Sequence, residues 1–190
     1  MPAKSFRKFK KLAYSRLALL SPHLTYHAIG HTTDVLKQCI KIAALENIDE
    51  ENMALLKIAA LYHDTGFLVA YVGHEEKSCN IFLEDISGTD FKKRDVKTIL
   101  GLILATKVGH KPKTLMQKIL CDADLDYLGR RDFAGITERL KNEFLHYSIV
   151  KDEKEWKEVQ FKFLQKHRYH TASSRKRREP GKRANMARLL

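Results

Sequence analysis

Apolar positions recur along the chain at three- and four-residue intervals, the spacing that places side chains on one face of an α-helix. Val35, Leu36, Cys39, Ile40 and Ala43 make one such stripe, and Val96, Ile99, Leu100, Ile103 and Leu104 another. Leu115 and Ile119 lead to Asp122 along one line, with Met116, Leu120 and Ala123 beside it. Trp156, Val159, Phe163 and Leu164 form a further stripe. Met53, Leu55, Leu56, Ile58, Ala59 and Leu61 leave little polar face, so this segment is expected to be the central helix. Strict alternation over a strand length is missing. Breaks are expected at Ser21–Pro22, Asn47–Glu51, Gly66–Gly73, Ser87–Asp90, Gly109–Lys113, Gly129–Asp132, Val150–Asp152 and Pro180–Gly181. The pattern predicts an all-α bundle of eight or nine helices with short connections. Beyond Pro180-Gly181, Ala184–Leu190 is read as either a docking helix or a frayed tail.

A chain of 190 residues suits one domain, with its core expected over about residues 22–170 and basic segments at 1–21 and 171–190. It is 44% hydrophobic and 31% charged, a balance that excludes wholesale disorder. No apolar run is long enough to cross a membrane, and Leu17–Leu20 is too short for a signal-peptide core. Cys39, Cys79 and Cys121 show no CxxC spacing, so a reduced, cytoplasmic protein without disulfides is expected. The formal charge of +12 is concentrated towards the two ends. Such basic segments attract phosphate, which makes nucleic acid a possible partner, though a merely solvated surface has the same composition.

The chemistry lies where helices are expected to end. Tyr26-His27 and His31-Thr-Thr-Asp34 precede the first long stripe. His63-Asp64 closes the most apolar segment, and Gly66 is expected to terminate that helix. Further groups are His74-Glu75-Glu76-Lys77-Ser78, Ala105-Thr106-Lys107 with His110, and Cys121-Asp122-Ala123-Asp124-Leu125-Asp126. Imidazole with carboxylate is the ligand chemistry of divalent transition metals. An acid such as Asp64 beside an apolar stripe, with no Arg or Lys within a turn, needs a countercharge. Taken singly, each of these residues also suits an ordinary cap or a hydrogen-bonded core position.

The order YHxxxH, His63-Asp64, HEExS, an ATK segment and DADLxxLG resembles the HD superfamily of metal-dependent phosphohydrolases. The resemblance runs from about Tyr26 to His170. Ala28 stands where an Asn usually follows YH, and Gly73-His74 where an Asn often precedes the Glu pair. The likeness implies His31, His63 and Asp64 as metal ligands, with the fourth from Asp124 or Asp122. Ala123-Asp124-Leu125 fits the family frame better, leaving Asp122 to orient a ligand histidine. His74 and His110 fall near positions that hold a second ion in two-metal members, but a single ion is expected here.

This frame implies a divalent Mn, Fe, Co, Ni or Zn ion and a water that attacks a phosphoester in line with its leaving oxygen. His27, His74 and Glu75 are candidates for proton transfer. Lys77, Lys107 and Arg130 are candidates to bind phosphate. The expected substrate is a nucleotide or similar small phosphorylated metabolite, and the rival reading is a basic nucleic-acid-binding or scaffold protein without catalysis. Trp156, Phe161, Phe163 and Tyr169 form an aromatic set that suits either plain core or the face of a homodimer.

Overall fold

A computed structural model describes residues 3–189, with side chains described for residues 6–189. Lys4 of the basic N-terminal segment and Leu190 of the expected terminal helix lie outside the described side chains. Among the described residues there are nine α-helices and no strand: α1 (Ala3–Leu17), α2 (Ile29–Leu45), α3 (Glu50–Tyr62), α4 (His74–Asp85), α5 (Lys93–Ala105), α6 (Leu115–Asp124), α7 (Phe133–His146), α8 (Glu153–Lys166) and α9 (Ala172–Ala187). Two 3-10 turns, Thr65–Leu68 and Asp126–Gly129, follow α3 and α6 directly. None of these helices is long and apolar enough to cross a membrane.

The nearly all-apolar segment does become the centre. Leu55, Leu56 and Ile58–Tyr62 are buried, and α3 is touched by α1, α2, α4, α5 and α6. Capping fixes where the helices begin. Asp49 accepts the amide of Asn52 at the start of α3, and Asp152 accepts that of Glu155 at α8. Thr114 and Gln117 form a reciprocal capping box on α6. Each such cap stabilises its helix by about 1 kcal/mol.

Two apolar clusters result. The larger joins α1–α6; the smaller gathers Tyr26, Tyr127, Leu128, Phe133, Ile136, Leu164 and Tyr169. Helix α1 contributes Phe9, Ala13 and Leu17 to burial, and α9 packs on the Asp126–Gly129 turn. The compact part is therefore wider than residues 22–170: amphipathic spacing in the basic ends carries them into the fold.

The expected break at Pro180–Gly181 does not occur, since α9 runs through Pro180. Tertiary contact replaces what the proline removes. A Cβ at Gly181 would lie 2.2 Å from the Gly129 carbonyl oxygen, and one at Gly129 would lie 2.2 Å from that of Arg178. Backbone meets backbone there because neither residue has a side chain. Asn185 donates to the carbonyls of Leu128 and Arg130, which anchors the far half of the helix.

Gly66 also departs from expectation. Helix α3 ends at Tyr62, and Gly66 lies inside the following 3-10 turn. Its role is close approach to α4, because a Cβ there would fall 1.8 Å from the His74 carbonyl oxygen.

Candidate metal centre

Three helix ends converge at the boundary of the two clusters. His31 lies in the first turn of α2, His63 and Asp64 follow α3 immediately, and Asp124 is the last residue of α6. The Nε2 atoms of His31 and His63 are 3.3 Å apart. Asp64 Oδ2 is 3.2 Å from each of them. Asp124 Oδ1 is 3.1 Å from His31 Nε2 and 3.6 Å from His63 Nε2. Ligands around one ion at bonds of roughly 2.1 Å are separated by roughly 3.0 to 3.4 Å, so His31, His63 and Asp124 come close to the spacing of a shared coordination sphere, with Asp64 against the same two imidazoles.

Protonation and burial test that fit. His63 Nδ1 donates to the Ala60 carbonyl at 3.0 Å, which directs Nε2 into the cluster. Asp64 Oδ2 is buried and makes no hydrogen bond. Two carboxylates here face two imidazoles with no Lys or Arg among them. Burial disfavours the imidazolium of His31, but the adjacent carboxylates of Asp124 and Asp64 prevail and raise its pKa to about 9. Burial opposes charge on Asp64 too, and the neighbouring imidazoles still hold it well below the usual carboxylate range. The cluster thus demands positive charge, carried by protons on the rings or by one divalent cation. His31, His63 and Asp124 meet the spacing of a metal-binding group, and the orphaned Asp64 oxygen adds a fourth donor.

Helix geometry gives the two aspartates different surroundings, and Asp124 is the one beside the histidines. Residues two apart on α6 point about 200° apart, so Asp122 and Asp124 face opposite ways. Asp122 does not orient a ligand histidine. It accepts the amides of His170 and Thr171, each at 2.8 Å, and the Thr171 hydroxyl at 2.7 Å, tying α6 to the start of α9.

Around the donors lie the remaining candidates. His27 precedes α2, whose N-cap is Ala28, so it shares no helical face with His31. Its ring is nevertheless 5.6 Å from that of His31. His74 Nδ1 donates to the Tyr71 carbonyl, while its Nε2 lies 3.6 Å from Asp64 Oδ1 and 3.5 Å from Glu75 Oε1. The rings of His27 and His74 both stack on Phe67. His110 is exposed and bonds the Leu104 carbonyl instead of joining the cluster.

Of the three cations only Arg130 comes near the donors, on the wall of a pocket that it shares with His31 and Asp124. Lys77 is exposed, and Lys107 is paired with Glu76 at 2.6 Å. Arg130 is held by Asp34, by Asp132 at 2.5 Å and by Asp126 at 3.9 Å. Trp156 and Tyr169 are buried and Phe163 packs on the smaller cluster, so most of the aromatic set is core. All three cysteines are free and buried.

One residue escaped the sequence pattern. Glu143 of α7 is fully buried and bonds the His27 ring; it also accepts the amides of Tyr26 and His27 and the Tyr71 hydroxyl. Burial opposes its charge, but the His27 interaction and the two amides hold it below the usual range. The available signal was an acid at the third position of the Ile136, Leu140, Glu143 stripe. Compared with known proteins, the chain matches no family model, no curated protein and no solved structure.

Proposed function

We propose that this protein is a metal-dependent phosphoester hydrolase. The observation that carries the reading is the convergence of His31, His63 and Asp124 at the spacing of a metal-binding group, with the unpartnered, buried Asp64 Oδ2 3.2 Å from both imidazole Nε2 atoms. These four residues would hold a divalent ion, which when bound supplies Lewis acidity and an acidified water. Mixed nitrogen and oxygen donors suit Mn, Fe, Co, Ni or Zn.

The chain's own groups manage protons and position. Hydrolysis forms a bond from water oxygen to phosphorus and breaks the bond from phosphorus to the ester oxygen. The departing oxygen needs a proton, and the attacking water must lose one. Both His27 and His74 have Nδ1 committed, to Glu143 and to the Tyr71 carbonyl, so each exchanges protons at Nε2. Glu143 and Tyr71 keep the His27 ring oriented, and Phe67 fixes both ring planes.

Elemental analysis of the purified chain tests the first half, with about one transition-metal ion per chain expected. Release of phosphate from generic phosphoesters with Mn, Ni, Co or Zn tests the second. Asp64→Ala should lose both properties. Full hydrolysis by that variant would overturn the proposal.

A further inference from the structure

Immediately beside the donors a cavity of about 320 Å³ opens, at the small end of the range of roughly 300–1,000 Å³ seen for small-molecule sites. One end is walled by Asp64, Asp124, His27, His74 and Glu75. The other is built from Phe133, Leu140, Phe144, Trp156, Phe163 and Leu164, with Thr137 and Gln160 as minor polar contributors. No Lys or Arg lines it. Two partly or largely exposed apolar residues, Val159 and Val108, stand on its wall and give an apolar way in.

Charge decides what fits. A single phosphoryl group can lie against the cation-seeking donors. A second phosphate, or the hydroxyls of a ribose, would have to enter the apolar chamber, which no Lys or Arg lines and where Thr137 and Gln160 are the polar side chains, so an unpaired anion or polar group there is costly. We infer that the cavity receives the apolar organic part of the ligand, so that the substrate is a monophosphate ester of an aryl or alkyl alcohol rather than a nucleotide. The phosphate end of this inference rests on the hydrolase reading, whereas the apolar end rests on the cavity. In the reaction, water oxygen bonds to phosphorus, the phosphorus–alkoxy bond breaks, and the alkoxy oxygen takes a proton; the products are the free alcohol and inorganic phosphate.

The chain contains one tryptophan, and Trp156 lines both this chamber and a separate pocket carrying Arg131, Lys141, Lys157 and Arg188, so its fluorescence is read together with a variant at Val159, which lines the chamber and not that pocket. Purified full-length chain is titrated with octanol, octyl phosphate, AMP and ATP. Octanol and octyl phosphate should shift Trp156 emission to saturation, and the two nucleotides should not. Val159→Phe, placed at a position already 39% exposed, should weaken octyl phosphate at least tenfold while leaving bound metal per chain unchanged. A saturating response to AMP with none to octanol would overturn the inference, whatever the variant does. So would undiminished octyl phosphate binding by a folded Val159→Phe chain. Saturable octanol binding without phosphate release under any metal would overturn the hydrolase reading and still support an apolar cavity.

Discussion

Asp122 and Asp124 are separated by one residue and have opposite tasks, which makes them a sharp test at the scale of single side chains. Asp124→Ala should remove bound metal, and in the metal-free chain it should also cost some stability because His31 loses one of its two carboxylate partners. Asp122→Ala should retain the metal and lose about 2–4 kcal/mol, since the His170 and Thr171 amides are left without an acceptor. Metal analysis and urea unfolding of both variants separate the roles. Glu143 is a positioning residue. Glu143→Gln keeps the shape but weakens the hold on the His27 ring, so kcat for phosphoester hydrolysis should fall roughly tenfold to a hundredfold. Its KM and metal content should stay near those of the parent, a split that simple misfolding does not produce. The donors themselves were readable from the sequence because each terminates or opens an apolar stripe. Glu143 was not, because an acid about 80 residues beyond the last paired histidine acquires its meaning only when α7 folds over Tyr26 and His27.

At the scale of elements, periodicity located the helices because burial follows the 3.6-residue repeat almost everywhere. It failed at α9, where local propensity forbids what tertiary contact enforces. Pro180 costs a lone helix about 3 kcal/mol, yet here the Gly129–Gly181 crossing, the Arg178–Asp126 pair and the Asn185 bonds hold the axis continuous. It failed again at Gly66, where a helix-stop residue serves as a packing surface. Gly66→Ala should push α4 from the Thr65–Leu68 turn, since its methyl carbon would overlap the His74 carbonyl. A stability loss of about 2–4 kcal/mol is expected, together with weaker metal retention as the shifted turn draws the adjoining Asp64 from His31 and His63. Thermal melts with metal analysis check both. The basic tail likewise read as a free charge run, whereas Arg177 and Arg178 lie against the buried carboxylate of Asp126. That engagement weakens the case for a nucleic-acid arm, because those cations already have a partner inside the fold.

For the whole molecule, pH acts through a half-buried histidine outside the donor cluster, His167. Burial, and after it Lys182, pushes the pKa of His167 down to about 3. The unfolded chain binds a proton on this residue below about pH 6.5 while the folded chain stays neutral. Stability from this residue is therefore complete above that pH and falls as pH drops towards 3, by up to about 1.4 kcal/mol per pH unit. Between pH 6 and 5 the parent should lose on the order of 1 kcal/mol more than His167→Phe, which cannot titrate. The ring's buried Nδ1 has no partner, so the substitution itself should be well tolerated at neutral pH. Urea midpoints across that interval give the comparison.

The Gly129–Gly181 crossing also governs the order in which the protein can be assembled. The turn beginning two residues after Asp124 takes its final support from a helix extending to Ala187. A nascent chain emerging from the ribosome holds every metal-seeking side chain long before it holds that support. Under the proposed metal-binding reading, loading of an ion would therefore wait for the ninth helix.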